Sequence, residues 1–175
     1  EMTVCVRQRP PVDAEGPAHR EPGVGVVGDL AAGDSDVEDR MGVIGLEAAD
    51  KWEVIDKLIA HLVARGAVPG SQGRALQEAV LQRERSMSTG MERGIAIPHA
   101  AVDGLERVVA AMAVIGKDAS GGVPFDSIDA SPAWIVVLLL IPRQQKLVHI
   151  RTLADLARHL GNEETRRTLR AAKDA

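Results

Sequence analysis

The chain has 175 residues, a mass of 18.6 kDa and a net charge of −4, and its 45% hydrophobic and 26% charged composition is that of one globular domain. Only Trp52, Phe125 and Trp134 are aromatic, so the core must be aliphatic, and stacking platforms for single-stranded nucleic acid are excluded. The longest apolar run, 133–141, is about half the length of a membrane span, so no direct membrane insertion is expected.

The negative charge is concentrated near the N-terminus. Residues 1–40 contain nine acidic and four basic side chains, whereas residues 41–175 contain sixteen and seventeen. The second segment is nearly neutral, which argues against a nucleic-acid-binding module. Cys5 is the single cysteine, which excludes an internal disulfide and favours a reducing, cytoplasmic location. The first residues contain charges and prolines without the apolar core of a signal peptide.

Residues 1–40 also differ from the rest of the chain in patterning. They contain four prolines, five glycines and scattered acids, with no sustained helical or strand periodicity. We therefore expect a flexible or irregular N-terminal extension, followed by one domain over residues 41–175. The alternative is that residues 26–39 supply an irregular first helix or strand to that domain.

Helical periodicity begins after Asp50. Asp50 and Glu53 have the spacing of a capping box, and apolar residues then recur at helical intervals until Gly66, a natural helix stop. A second helix is predicted over about residues 74–85. Residues 84–98 are rich in Ser, Thr and Gly and are predicted to form a loop that ends in a short apolar run.

Two later segments, 108–115 and 134–141, are predicted to be strands because they are short, apolar and rich in β-branched residues. The second is apolar on both faces, as in a central strand covered from both sides, and Pro142 ends it. A final, mostly polar helix is predicted over residues 163–173. Before it, the helical period over residues 146–160 predicts a helix with one inward stripe of Leu147, Ile150, Leu153, Ala154, Ala157 and Leu160. This mixture predicts an α/β fold with a central mixed β-sheet flanked by helices on both faces.

Five histidines are the first candidates for chemistry, because the Walker A, Rossmann glycine, HExxH and GxSxG motifs are absent from the sequence. His61 and His159 lie in amphipathic helices, where packing or solvent contact explains them. His149 and His159 point to different faces of one helix, so they do not form a metal pair. We expect neither a metal nor a cofactor.

His99 has a different setting. Pro98 precedes it and fixes φ there, which helps to hold the imidazole in one orientation. Small residues follow at Ala100 and Ala101, so the backbone of another molecule can approach closely. These features make His99 a candidate nucleophile, and an ordinary loop histidine is the alternative.

The segment 83–90, upstream of His99, has the composition of an anion site. It combines arginine, serine, threonine and glycine. Guanidinium and hydroxyl groups donate to phosphate oxygens, and glycine allows backbone amides to approach. A solvated helix end with a capped turn is the alternative interpretation.

Taken together, these motifs resemble the signature of a known family. Arg-Glu at 83–84, Ser-Thr-Gly at 88–90 and Gly-Ile-Ala-Ile-Pro-His-Ala at 94–100 are similar to the enzyme IIA domain of the bacterial phosphoenolpyruvate-dependent sugar phosphotransferase system. The matching subfamily is the fructose–mannitol type, which includes nitrogen-regulatory relatives. The resemblance covers about residues 43–173, which is nearly all of the patterned region.

The resemblance implies a phosphotransferase component that works through a phosphohistidine intermediate. His99 then accepts the phosphoryl group from a histidine phosphocarrier protein and passes it to an enzyme IIB domain in sugar uptake. By the same match, Arg83, Ser88 and Thr89 line the phosphate site, and His149 is the second histidine beside it.

Two other functions stay open. One is a nitrogen-regulatory module in which the phosphorylation state of His99 controls binding to a regulatory target protein. The other is a binding-only domain that has lost transfer, which Glu92 suggests because the family commonly has glycine at that position. If the position requires a positive φ, the glutamate costs about 1 kcal/mol.

Overall fold

The computed structural model describes residues 42–116 and 122–172. The predicted N-terminal extension, residues 1–40, lies outside the described residues, and so does the alternative first element at 26–39. Among the helices that the structure describes, none combines the length and the hydrophobicity that a bilayer span requires.

The strands form one mixed sheet. They are β1 (Gly42–Leu46), β2 (Ile95–Ala96), β3 (His99–Val102), β4 (Val109–Ile115) and β5 (Ile135–Pro142). β5 pairs antiparallel with β4 along one edge and parallel with both β2 and β3 along the other. β1 runs parallel to β4 on its outer side. All eight residues of β5 are buried, as its continuous apolar sequence predicts.

The helices are α1 (Lys51–Ala64), α2 (Gly73–Ser86), α3 (Lys146–Gly161) and α4 (Glu163–Ala171). Each corresponds to a predicted helix. Asp50 caps α1 by accepting from the backbone N–H groups of Trp52 and Glu53, each over 2.9 Å. Glu53 completes the start of the helix by accepting from the N–H of Ala49 over 2.7 Å, which is one residue before the position that an ideal capping box uses.

Alternate residues of the two central strands face two separate apolar clusters. Ala111 and Ala113 of β4 contribute, with Leu138 of β5, to the cluster that includes the buried residues of α1 and α2. Val137 and Leu139 of β5 contribute to the cluster that includes the buried residues of α3. Helices therefore cover both faces of the sheet, and the predicted α/β fold with a mixed sheet between helices is confirmed.

The predicted inward stripe of α3 is wrong in its first half. Leu147 and Ile150 are 72% and 67% exposed, and Ala154 is exposed as well. The buried ridge instead includes Leu156 and Leu160, which are four residues apart. Leu147 and Ile150 are rotated by about 180° and about 120° around the helix from Leu156, so the apolar pattern is wider than the surface that the sheet covers.

We expect truncation to change the free energy of unfolding strongly at one leucine of α3 and hardly at all at another. Leu156 is 1% exposed, so Leu156→Ala is expected to lower the free energy of unfolding by about 2–5 kcal/mol. Leu147→Ala is the matched control, and its exposed side chain predicts a change within about 0.5 kcal/mol. Urea denaturation of both variants measures these values. A large loss in Leu147→Ala would contradict this orientation of α3.

Candidate functional site

His99 is the first residue of β3 and is half-buried. It is in register with Leu139, whose backbone N–H donates to the carbonyl of Pro98 over 2.9 Å. The imidazole Nδ1 of His99 lies 2.8 Å from the carbonyl oxygen of Ile97. A carbonyl oxygen only accepts hydrogen bonds, so Nδ1 carries the proton of the neutral ring. The lone pair of Nε2 is then available for attack.

His149 packs against this ring from the first turn of α3. The two ring centroids are 5.4 Å apart and the planes meet at 71°, which is an edge-to-face contact. The backbone N–H of His149 donates to the carbonyl of Gln145 over 3.0 Å. The side chain of Gln145 donates to the carbonyl of Glu106 over 2.8 Å and so ties the start of α3 to the segment between β3 and β4.

Arg83 lies in the last turn of α2. Its Nη1 donates to the carbonyl of Met87 over 2.7 Å, which holds the guanidinium at the end of the helix. Its positive charge is close enough to His99 to contribute to lowering the pKa of that residue. A guanidinium has five N–H donors in a planar fork, and this geometry matches the oxygens of a phosphoryl group.

The surroundings of His99 lower its pKa below 6.5. Burial is the largest cause, because it disfavours the charged ring. The hydrogen bond to Ile97 opposes this effect. Electrostatic interactions with Arg83 and His149 lower the pKa further, whereas the carboxylate of Glu84 raises it. The net result is a neutral imidazole at pH 7, which is the nucleophilic form.

The hydroxyls of Ser88 and Thr89 bind a buried carboxylate. The Thr89 hydroxyl donates to Glu84 Oε2 over 2.5 Å, and the Thr89 backbone N–H donates to the same oxygen over 3.0 Å. The Ser88 hydroxyl lies 3.0 Å from Glu84 Oε1 and also contacts the carbonyl oxygen of Phe125. Because these hydroxyl protons are directed at protein oxygens, the role of both residues as phosphate donors stays a prediction.

Glu84 also belongs to the site, although the sequence motifs predict no role for it. Its side chain is fully buried, and the Nζ of Lys51 donates to it over 3.3 Å. Lys51 also donates to the exposed Asp126 over 2.7 Å. Burial alone would lower the pKa of Lys51, but the hydrogen bond to Asp126 and the charge of Glu84 outweigh it and raise that pKa. The sequence signal for these contacts was the position of this carboxylate, four residues before Ser88 and five residues before Thr89.

The loop before β2 accommodates Glu92 without the expected strain. The positive φ angles of this loop are at Arg93, with 66°, and at Gly94, with 75°, so Glu92 does not occupy the position that needs glycine. A Cβ on Gly94 would come within 2.6 Å of Trp134 Cδ1. The N–H of Arg93 donates to Asp129 over 2.8 Å, which supports the left-handed residue. The cost expected at Glu92 therefore does not arise.

At one place, the structure thus packs His149 against the ring of His99 and brings the charge of Arg83 close enough to affect that ring. This place holds a neutral nucleophilic nitrogen beside a cation. Within residues 42–116 and 122–172, no group of three or more His, Cys, Asp or Glu side chains is arranged to hold a metal ion. The arrangement is suited to accept an electrophilic, anionic group on a ring nitrogen.

Comparison with known proteins shows which family the chain resembles. Residues 39–175 match the model of the family described as "Phosphoenolpyruvate-dependent sugar phosphotransferase system, EIIA 2". A nitrogen regulatory protein of Bradyrhizobium diazoefficiens is 34% identical over 118 residues, which are 67% of this chain and 74% of that protein. The fructose-specific EIIABC component of Bacillus subtilis is 32% identical over 130 residues, which are 74% of this chain and 20% of that protein.

A solved structure shares the fold. It is the complex of enzyme IIAMTL with phosphorylated enzyme IIBMTL from Escherichia coli, determined by NMR. The match has a TM-score of 0.60 at 23% identity and covers 75% of this chain and 88% of that chain.

The electrostatics of the site predict how the pKa of His99 responds to one substitution. NMR titration of the imidazole is expected to give a pKa below about 6.5 in the wild type. Arg83→Gln removes a nearby positive charge and is expected to raise this pKa. Arg85→Gln is the matched control, because the guanidinium of Arg85 pairs with Glu78 over 3.2 Å, and it should leave the pKa unchanged. An unchanged pKa in Arg83→Gln would contradict this account.

Proposed function

This chain belongs to the EIIA 2 family of the phosphoenolpyruvate-dependent sugar phosphotransferase system, and from that membership we propose that His99 carries the phosphoryl group. The group comes from the phosphohistidine of a histidine phosphocarrier protein and goes to an enzyme IIB domain. The observation that supports this most directly is the contact of 2.8 Å between His99 Nδ1 and the Ile97 carbonyl, which leaves Nε2 as the nucleophile.

The transfer exchanges one P–N bond for another. The lone pair of His99 Nε2 attacks the phosphorus, and the donor nitrogen leaves with the electron pair of the bond that breaks. When the other ring nitrogen of the donor is protonated, the donor leaves as neutral imidazole. His99 then carries the same protonated form, with its Nδ1 proton held by the Ile97 carbonyl. Charge and protons therefore balance without an acid or base catalyst.

Positioning and electrostatics supply the catalysis in this mechanism. Negative charge is spread over the phosphoryl oxygens in the transition state. Arg83 supplies N–H donors for those oxygens and is already held in place through Met87. His149 donates a further hydrogen bond from the edge of its ring. Ser88 and Thr89 remain candidate phosphate contacts by their place in the family motif.

Exposed apolar side chains near these residues support a protein as the donor and acceptor. Met87 follows α2 and is 70% exposed, and Leu147 and Ile150 lie on either side of His149 in the chain. Exposed apolar groups beside a reactive residue are typical of a protein interface. We propose that residues 41–175 are the carrier domain, and that the reaction takes place in the cytoplasm, as the single cysteine favours.

A regulatory function is the second candidate. The relative from Bradyrhizobium diazoefficiens is named a nitrogen regulatory protein. In this alternative, phosphorylation of His99 changes the charge of the surface and thereby the binding to a target protein, and no transfer to an enzyme IIB domain follows.

We expect the protein to gain one acid-labile phosphate when it is incubated with phosphoenolpyruvate, enzyme I and the histidine phosphocarrier protein. Intact-mass measurement detects the gain. His99→Ala is expected to abolish it because the variant lacks the nitrogen that attacks the phosphorus. His159→Ala is the matched control, since His159 lies in the last turn of α3 and should leave the phosphorylation intact. An unmodified wild type, or a phosphorylated His99→Ala, would overturn the proposal.

Arg83→Ala is expected to slow phosphorylation by about ten- to a thousandfold, because it removes donors that stabilise the transition state. The exposed Arg85→Ala serves as the control for loss of an arginine from the same helix turn. Rapid-quench measurement of the phosphorylation rate separates the two variants, and equal rates would remove Arg83 from the site.

The transport and regulatory candidates differ in what discharges the phosphorylated protein. A relay in sugar uptake predicts rapid loss of the phosphate when a cognate enzyme IIB domain is added. A regulatory module predicts that the phosphate persists and that the affinity for a target protein changes. Intact mass measured over time after addition of enzyme IIB domains decides between them.

A further inference from the structure

Glu84 is a buried carboxylate whose oxygens are fully engaged. Its side chain has no exposed surface. It accepts from the N–H of Thr89 over 3.0 Å, the hydroxyl of Thr89 over 2.5 Å, the hydroxyl of Ser88 over 3.0 Å and the ammonium of Lys51 over 3.3 Å. Burying a carboxylate costs much free energy unless hydrogen-bond donors surround it. Moving any of these four groups away would incur that cost, so they are held in place together.

The hydrogen bonds continue from this carboxylate to the reactive ring. The carbonyl of Thr89 accepts from the backbone N–H of Ile97 over 3.1 Å. The carbonyl of Ile97 accepts from Nδ1 of His99 over 2.8 Å. Hydrogen bonds through Thr89 and Ile97 therefore link Glu84, in the last turn of α2, with the imidazole at the start of β3.

The same carboxylate also acts on His99 through its charge. Burial and the electrostatic interactions with Arg83 and His149 lower the pKa of His99, whereas Glu84 raises it. Within residues 42–116 and 122–172, these three side chains and the Ile97 carbonyl are the groups that shift the pKa of the ring. Glu84 thus limits the fall of the pKa and preserves the basicity of the nucleophile.

We propose that Glu84 is a positioning residue that fixes the orientation and the Nδ1–H tautomer of His99 through Thr89 and Ile97. This inference rests on the proposed role of His99 as the phosphoryl acceptor. Glu84 touches neither the ring nor the incoming group and acts through the segment that it binds. Its contribution is therefore expected in the rate of phosphorylation and in the state of the ring.

Glu84→Gln is the first test, because it keeps the size of the side chain and removes its charge. The amide group would point N–H donors at groups that are themselves donors. Phosphorylation of the full chain by the phosphorylated carrier protein is expected to slow by about tenfold or more. Nitrogen-15 NMR of unphosphorylated protein is expected to show His99 as a mixture of tautomers, with its pKa lower than in the wild type.

Asp126→Asn is the matched control. It removes the other carboxylate that Lys51 contacts but leaves every bond between Glu84 and Thr89. Because Asp126 lies outside the chain of bonds to His99, its substitution should keep the rate within about twofold of the wild type and the ring in one tautomer.

A folded Glu84→Gln protein with the wild-type rate and wild-type ring-nitrogen shifts overturns the proposal. If Glu84→Gln does not fold, Thr89→Val decides, because it deletes one hydroxyl and keeps the carboxylate paired with Lys51. Altered ring-nitrogen shifts of His99 in Thr89→Val support the proposal, and unchanged shifts overturn it. The ring-nitrogen shifts of His99 are measured on unphosphorylated protein. If the wild type is never phosphorylated, the proposed function is refuted, but these shifts still test the role of Glu84.

Discussion

The burial of β5 on both faces is the constraint on which the arrangement of the site depends. Each of its eight residues is buried, so the strand has one possible place between the two layers of helices. Both β2 and β3 pair with the same edge of β5, and the two residues between them include Pro98. The N–H of Leu139 binds the Pro98 carbonyl, and this contact fixes where β3 begins. The position of His99 is thus determined by a strand that is buried along its whole length.

A second constraint is the charge of Glu84. The carboxylate lies where solvent does not reach it, and it is tolerated because Lys51 from α1 and two residues of the following loop donate to it. The beginning of α1, the end of α2 and the loop before β2 are joined by this one group. Partial loss of such a network is more costly than its net contribution suggests, because the remaining polar groups stay buried without partners.

The sequence predicted the elements that carry long apolar patterns and missed those that do not. All four helices and the strands β4 and β5 were predicted, whereas β1, β2 and β3 are too short, or too rich in small residues, to show a period. The inward stripe of α3 was predicted wrongly in its first half for a related reason. Leu147 and Ile150 fit the helical period, but they lie beyond the part of the helix that packs on the sheet. Local motifs led to His99, and the spacing of Glu84 from Ser88 and Thr89 was a local signal, but the pairing of Glu84 with a lysine 33 positions away leaves no local pattern.

The pairing of Lys51 with Glu84 explains how a buried carboxylate is compatible with the proposed chemistry. A phosphoryl group on His99 carries almost two negative charges on its oxygens, which an unpaired carboxylate nearby would repel. Lys51 offsets part of the charge of Glu84 from the side of α1, and its raised pKa keeps it charged at pH 7. Because Lys51 forms the ion pair with Glu84, Arg83 is not needed to balance the charge of this carboxylate. Arg83 donates one N–H to the Met87 carbonyl, and in the proposed function the other N–H groups of its planar fork donate to the incoming phosphoryl oxygens.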